Sequence, residues 1–396
     1  MTRTFSTKTL VVFCLVFIAS ACSTIDTHVP VTMQVGAEQG ERYLPLLKNK
    51  KVGLVVNQSS LVHDQHLLDY LLANKINVLR IFAPEHGFRG DYDAGAHVKN
   101  AIDAKTGVAI SSIYGKHKKP SPELMDELDV VIFDIQDVGV RFYTFISSMH
   151  YMMEAAAESG TQFMVLDRPN PNGSFVDGPI LEPDFQSFVG IHPIPILHGM
   201  TLAELARMIK GEGWINQAES LNLVTIANKH YQRDMPYELP VAPSPNLPNR
   251  QSIQLYPSLC FFEATPVSIG RGTDFPFQVM GHDMISLGDF EFTPVSKPGS
   301  ALHPKLENQL LFGTDLRASA IQGLDLSLFI QAFSQFKKAG FGFFERPDFM
   351  DKLAGTDSLR LAIQQGQTAK QIKAAWQTDL LTFKQQRKPY LLYPDY

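Results

Sequence analysis

From residue 51 to residue 227 the apolar positions fall in short blocks, and each block is followed by a polar or helix-forming stretch. β-Branched and aromatic runs at Lys51–Val56, Asn77–Ala83, Val108–Tyr114, Val130–Ile135, Gln162–Leu166 and Leu221–Ala227 predict strands. Between them, apolar residues at helical spacing predict helices over Leu67–Leu72 and Tyr143–Ser159, with Gly160 as the stop of the second. Ser121 caps a further helix that carries Pro122 at its first position, where a missing N–H leaves nothing unsatisfied. Thr201 and Glu204 form a capping box that opens a helix over Thr201–Lys210, and Gly211 closes it. Strands that alternate with helices in this way predict an α/β fold, a parallel sheet with helices on both faces.

After this region the pattern changes. Leu239–Pro248 holds Pro240, Pro243, Pro245 and Pro248 and is expected to be extended, presenting Ser244 and Asn246 between the prolines. A domain boundary is placed here, with residues 41–240 as the N-terminal domain and 241–396 as a C-terminal α/β domain. The latter contains helices at Leu326–Lys338 and at Ala369–Lys384, the second capped by Thr368 and Gln371.

Residues 1–21 read as an export signal. Arg3 and Lys8 precede the apolar stretch Leu10–Ile18, which is too short to span a bilayer, and Ala19-Ser20-Ala21 leads directly into Cys22. The arrangement resembles a bacterial lipoprotein signal, with Cys22 as the lipidated first residue and 22–40 as a tether. Cleavage near Ala21 as an ordinary secretory signal is the alternative. A lipid on Cys22 would place the protein on a membrane facing the periplasm. Ser23 in the following position fits sorting to an outer membrane if the cell has one. Loss of residues 1–21 takes the formal net charge from −5 to −7, which gives no electrostatic reason to bind nucleic acid. Cys14 leaves with the signal and Cys22 is taken by the lipid. Cys260 then stands alone between Leu259 and Phe261-Phe262, a buried small hydrophobe with no disulfide partner.

Chemistry is suggested where three predicted strands end. Asn77–Ala83 runs into Pro84-Glu85-His86-Gly87-Phe88-Arg89-Gly90. Val130–Phe133 runs into Asp134-Ile135-Gln136-Asp137-Val138-Gly139-Val140-Arg141-Phe142-Tyr143. Gln162–Leu166 runs into Asp167-Arg168-Pro169-Asn170-Pro171-Asn172-Gly173. Ligands of open α/β sheets bind outside the carboxyl ends of the strands, so these segments would share one polar rim. Glu85, close to Phe82 and Phe88, is a candidate general acid, or else a loop partner of Arg89. Asp134 could orient that acid or face a cationic transition state, and Arg141 could hold an anionic group. Asp137 is equally suited to accepting backbone N–H groups at a helix entry. Asp167–Arg168 is either a binding pair or a structural ion pair, and Asn170 could grip sugar hydroxyls. His198 is a binding or a structural loop histidine. Gly270-Arg271-Gly272-Thr273-Asp274 resembles an anion-binding turn but lacks the ending of a phosphate loop. No Gly-x-Gly-x-x-Gly follows the first strand, no Gly-x-Ser-x-Gly or His-Glu-x-x-His occurs, and the twelve histidines show no metal spacing. Neither a cofactor nor a metal is expected.

Taken together, Phe82–Gly90, Phe133–Tyr143, Asp167–Asn172, Ser187–Gly190, His198–Thr201, Pro243–Asn246, Gly270–Asp274 and Tyr390–Tyr393 resemble the NamZ-type exo-β-N-acetylmuramidases, formerly a bacterial domain family of unknown function. The resemblance implies a Rossmann-like N-terminal domain and a smaller C-terminal domain with the active cleft between them. It also implies release of N-acetylmuramic acid from the non-reducing ends of peptidoglycan fragments, so the expected partners are muramyl saccharides. On that reading Glu85 is the acid, with Asp134 or the substrate's own acetamido group as its counterpart. Arg89, Arg141 and Arg271 are candidate grips on the lactyl carboxylate. His86, Asp137, Tyr143, Asp167, Arg168, Asn170, His198 and Asn246 complete the expected binding set. A non-catalytic cell-wall sugar-binding lipoprotein would use the same residues without needing Glu85. Nothing in the sequence speaks to oligomeric state.

Overall fold

A strand buried on both faces has no polar side to present, so it is apolar throughout. That is the character of Lys51–Val56 (β1), Val130–Asp134 and Gln162–Leu166, whose residues are almost all buried. The computed structural model describes residues 1–2, 32–88 and 101–395, and Met33–Tyr396 form one compact unit. The predicted signal segment and Cys22 lie outside the described residues. Among those residues, β1 joins Asn77–Ala83 (β2), Ala101–Ile102 (β3), Ala109–Ser112 (β4), Val130–Asp134 (β5), Gln162–Leu166 (β6) and Leu223–Ile226 (β7) in one sheet of order β3-β4-β2-β1-β5-β6-β7. Only the β3–β4 pairing is antiparallel. In chain order the parallel strands lie third-second-first-fourth-fifth-sixth, the doubly wound Rossmann-like arrangement, and its switch point falls between β1 and β5.

Helices cover both faces. On one side Gly40–Leu47 (α1) and Leu67–Ala73 (α2) bring Tyr43, Leu47, Leu67 and Leu71 onto Val52, Leu54 and Ile81. After the short helix Pro122–Asp126 (α3), Phe145–Ser159 (α4) and Leu202–Gly211 (α5) cover the other side, where Met149, Met152 and Leu205 share a core with Val55, Phe133 and Phe163. The predicted punctuation of these helices is present. Gly160 turns left-handed at φ 72°, and Thr201 and Glu204 cap each other's backbone N–H groups.

The core on the α4–α5 side continues without a break into the smaller C-terminal part through Phe261, Phe262, Phe329 and Phe336. This part begins with Arg250–Leu259 (α6), a helix that sequence patterning misses because Pro257 lies inside it, although Asn249 caps its start by accepting from Ser252 N. Val279–His282 (β8), Phe290–Phe292 (β9) and Leu311–Asp315 (β10) then pair antiparallel in the order β8-β10-β9. The helices Ser327–Ala339 (α7), Pro347–Ala354 (α8), Ser358–Gln364 (α9), Ala369–Ala375 (α10) and Gln377–Arg387 (α11) follow. The helix predicted over Ala369–Lys384 is therefore two, parted at Trp376. Its buried indole turns inward and donates to Asp177 (3.2 Å).

Arg141 fastens the C-terminal part to the strand-end loops. Its guanidinium is buried and donates to the carbonyls of Pro179 (2.9 Å), Ile194 (2.7 Å), Leu353 (3.1 Å) and Ala354 (2.7 Å), the last two at the end of α8. No carboxylate pairs with it among the described residues, and burial pushes its pKa down to about 9. Gly355 is required beside it, because a Cβ there would stand 2.5 Å from Arg141 Nη2. Arg141→Met should lower the stability of the chain by roughly 3–5 kcal/mol, since buried carbonyls lose their donor. Urea denaturation checks this, and an unchanged midpoint would show that the joint does not depend on the guanidinium.

Candidate active site

The switch point between β1 and β5 is closed by side-chain bonds from the segment that follows β1. Asn57 Oδ1 accepts from the backbone N–H (2.9 Å) and hydroxyl (2.6 Å) of Ser59. Ser59 Oγ in turn accepts from Gln136 N (3.0 Å), and Ser60 Oγ donates to the carbonyl of Asp134. The ends of the two strands are thus held as one floor.

The carboxylate directly after Phe133 belongs to that floor. Asp134 is fully buried, and both of its oxygens receive Arg168, from Nε at 2.6 Å and from Nη2 at 2.9 Å. Arg168 Nη2 also donates to the Leu61 carbonyl (2.9 Å). Asp134 and Arg168 are therefore bound to each other inside the protein and have no open face. Asp167 turns the opposite way. It accepts from Ala203 N at the start of α5 (3.0 Å), from Asn228 Nδ2 (3.3 Å) and from the Tyr393 hydroxyl (2.5 Å), and burial raises its pKa to about 7.

The amides expected to grip sugar are likewise spent on backbone. Asn170 Nδ2 donates to the Met200 carbonyl (2.8 Å) and its Oδ1 accepts from Asn172 N (2.8 Å), while Asn172 Nδ2 donates to the Val138 carbonyl (2.8 Å). Asn170 also explains Gly139, which sits at φ 74° where any Cβ would stand 1.8 Å from Asn170 Oδ1. His198 is fully buried, accepts from Met200 N at Nδ1 (3.2 Å), and is kept neutral with a pKa near 3 by burial and the nearby Arg387, Arg141 and Arg233. With Arg141 engaged as described, these residues form the framework of the rim rather than its surface.

Glu85 has a different setting. It stands half-buried two residues past β2, in a turn where His86 (φ 68°) and Gly87 (φ 77°) are both left-handed. A left-handed histidine is a costly backbone state that persists only where its surroundings impose it. Two hydroxyls hold the Glu85 carboxylate, Tyr114 Oη on Oε1 (2.8 Å) and Thr144 Oγ1 on Oε2 (2.5 Å). Tyr114 follows β4 and Thr144 immediately precedes α4, so two further element ends converge on this one side chain. Tyr143 lies beside it, its hydroxyl buried without a hydrogen-bond partner. Burial raises its pKa well above the ordinary value, and the nearby carboxylates of Asp137 and Glu85 raise it further. Asp137 accepts from Gly139 N (2.6 Å) at one oxygen, and burial lifts its pKa to about 7. Its other oxygen is buried without a hydrogen-bond partner.

The extended proline segment closes this group from the C-terminal side. Gln58 Nε2 donates to the carbonyls of Ala242 (3.1 Å) and Pro243 (3.1 Å), and Ser244–Leu247 forms a turn (3.1 Å). Asn246 Nδ2 donates to the Ser300 carbonyl (2.8 Å), leaving Oδ1 unpaired. Arg271 lies farther off, paired to Glu263 (2.6 Å), and Arg89 falls outside the described residues. Tyr114, Thr144 and the run Asn57-Gln58-Ser59-Ser60 were not singled out from sequence. All follow the ends of apolar runs or open a helix, so the rule that picked out Glu85 could have found them. Among the described residues no three His, Cys, Asp or Glu side chains are placed to hold a metal ion, and Cys260 is buried and unpaired.

Among the described residues, the doubly wound sheet presents a half-buried, hydroxyl-held carboxyl at its strand ends, where sheets of this class bind their ligands and place catalytic groups. Residues 52–251 match the family described as exo-beta-N-acetylmuramidase NamZ, N-terminal, and residues 254–393 match its C-terminal counterpart. The chain is 40% identical over 375 residues to the peptidoglycan beta-N-acetylmuramidase NamZ of Bacillus subtilis (strain 168), covering 89% of each chain. Crystal structures of two DUF1343 family proteins of Bacteroides fragilis NCTC 9343 superpose with TM-scores of 0.84 and 0.79. Their identities are 46% and 28%, and the matches cover 92% and 91% of this chain and 100% and 99% of those. The chain belongs to the NamZ exo-β-N-acetylmuramidase family.

The Asp134–Arg168 pair generates a stability prediction. Arg168→Met leaves a buried carboxylate alone and should lower stability by roughly 3–5 kcal/mol, whereas adding Asp134→Leu to it should return a good part of that loss. Equal stabilities of the single and double variants, measured by denaturant unfolding, would contradict a pair closed to solvent.

Proposed function

We propose that this protein is an exo-acting glycoside hydrolase that releases N-acetylmuramic acid from the non-reducing ends of peptidoglycan fragments. The observation that carries the reading is Glu85, held by two hydroxyls at a strand end, in a chain 40% identical to a peptidoglycan β-N-acetylmuramidase. Tyr114 and Thr144 fix the plane of the carboxyl, and its proton is the one delivered to the leaving glycosidic oxygen. Tyr143, Ser244 and His86 border the terminal sugar, and Asp137 sits beneath them.

Cleavage also needs something to meet the developing positive charge at C1. Asp134 is committed to Arg168, which favours the substrate's acetamido oxygen in this role. In that sequence the acetamido oxygen bonds to C1 as the C1–O bond breaks and Glu85 gives its proton to the leaving sugar. Water then adds to C1 as the bond between C1 and the acetamido oxygen breaks, and its proton returns to Glu85. The new sugar keeps the β configuration.

The export reading remains part of the proposal. Cys22 carries a lipid and the enzyme faces the periplasm from a membrane, where wall fragments are released. The support is the sequence around Leu10–Cys22.

Wild type should release free N-acetylmuramic acid from a β-linked N-acetylmuramyl–N-acetylglucosamine disaccharide, and folded Glu85→Gln should lose about a hundredfold or more. Proton NMR of the first-formed sugar should show the β anomer, and an α product would require a base that activates water instead. Equal rates in the two proteins would remove Glu85 from the reaction, and binding without turnover by either would indicate a sugar-binding protein. For the anchor, Cys22→Ser expressed in a Gram-negative host should move the protein from the membrane to the soluble fraction. An unchanged distribution would argue against lipidation.

A further inference from the structure

The proline segment, which Gln58 holds at the Pro243 carbonyl (3.1 Å), continues to Asn246, which donates to the Ser300 carbonyl. Ser300 lies on the rim of a cavity of about 610 Å3 in the C-terminal part, within the size range of small-molecule sites. Asn246 thus ties one wall of this cavity to the segment after β1 that closes the sheet's switch point.

Its walls carry more cations than anions. Arg271, Lys305 and Arg346 face Glu263 and Glu345. Arg271 commits Nε to Glu263 (2.6 Å), and among the described residues its terminal nitrogens donate to no acceptor. The Phe277 ring, 5.0 Å from the guanidinium carbon, supports its plane. Arg346 is exposed and lies 4.3 Å over the Phe349 ring, and among the described residues no carboxylate pairs with it. Lys305 is anchored by the carbonyls of Phe262 (3.0 Å), Val267 (3.2 Å) and Thr265. Arg271, Lys305 and Arg346 all hold the Glu263 carboxyl below its ordinary pKa, so their fields meet in one place. Guanidinium groups with free terminal N–H pairs, set in a cavity of excess positive charge, suit a planar carboxylate that can be gripped at both oxygens.

We propose that this cavity is a carboxylate-binding subsite for a second muramic acid residue of the glycan, downstream of the bond that is cleaved. The inference rests on the proposed hydrolysis at Glu85. The terminal sugar occupies the region around Glu85, so a separate cavity serves a later residue. In a chain that alternates N-acetylmuramic acid with N-acetylglucosamine, the next carboxylate is carried two sugars along. The cavity would therefore give the enzyme a preference for chains over disaccharides.

The test compares kcat/KM for the disaccharide with that for the tetrasaccharide of two repeats, in the full chain. Wild type should favour the tetrasaccharide, and Arg346→Ala should lower the tetrasaccharide-to-disaccharide ratio about tenfold, with Arg346→Lys restoring part of it. Arg346 is exposed, so the fold is not at risk. A ratio unchanged by Arg346→Ala, or a wild type that does not distinguish the two substrates, overturns the subsite while leaving hydrolysis at Glu85 intact. If wild type cleaves neither substrate, the proposed hydrolysis fails, and calorimetric binding of the tetrasaccharide decides the subsite separately. Weaker binding by Arg346→Ala supports it, and equal binding overturns it.

Discussion

A carboxylate at the end of a central parallel strand is cut off from water, and its charge persists only if another charge meets it there. Arg168 does this for Asp134, from the end of the neighbouring strand, with two bonds of 2.6 and 2.9 Å. Because both oxygens are used, the pair also sets the spacing of the β5 and β6 ends, and the third bond to Leu61 draws in the segment after β1. The sheet's switch point is thereby a rigid floor rather than an open crevice. What remains accessible lies to the side of it, where β2 ends and Glu85 stands between Tyr114 and Thr144.

The same division runs through the whole rim. Asp167, Asn170, Asn172, His198 and Arg141 point into backbone or into helix ends, and together they hold the strand-end loops against α5 and α8. Each spends most of its hydrogen-bonding capacity on the chain itself, with Arg141 Nε, Asn172 Oδ1 and His198 Nε2 left unpartnered, so a rim rich in polar residues is in large part scaffolding. Among the described residues, Tyr143, Asp137 and the turn at His86 lie near Glu85, whose orientation Tyr114 and Thr144 hold.

The architecture was legible in the sequence because burial on both faces leaves a continuous apolar run. Most of the strands of the large sheet follow from that, and Thr201–Glu204 and Thr368–Gln371 marked helix starts at the positions observed. Proline and tryptophan limited the reading elsewhere. Pro257 concealed α6, and Trp376 split a helix whose polar spacing ran on without a break. At the site, sequence could tell that Glu85, Asp134, Asp137 and Asp167 follow strand ends. It could not tell which of them faces a neighbour. That depends on pairings such as Asp134 with Arg168, 34 residues apart, and Asp167 with Tyr393, 226 residues apart. No local pattern encodes such contacts. Tyr114 and Thr144 were missed because a hydroxyl at a strand or helix end is common and becomes informative only when a carboxylate is seen between two of them.

If Glu85 is the acid, the scissile bond sits beside it and not at the switch point itself. A crystal structure of Glu85→Gln with the N-acetylmuramyl–N-acetylglucosamine disaccharide bound tests this most directly. The glycosidic oxygen should lie about 3 Å from the side chain at position 85, with the terminal sugar against Tyr143 and Ser244 and the Asp134–Arg168 pair unbroken beneath it. A disaccharide whose glycosidic oxygen instead meets a freed Asp134, or that binds away from both carboxyls, would contradict the account.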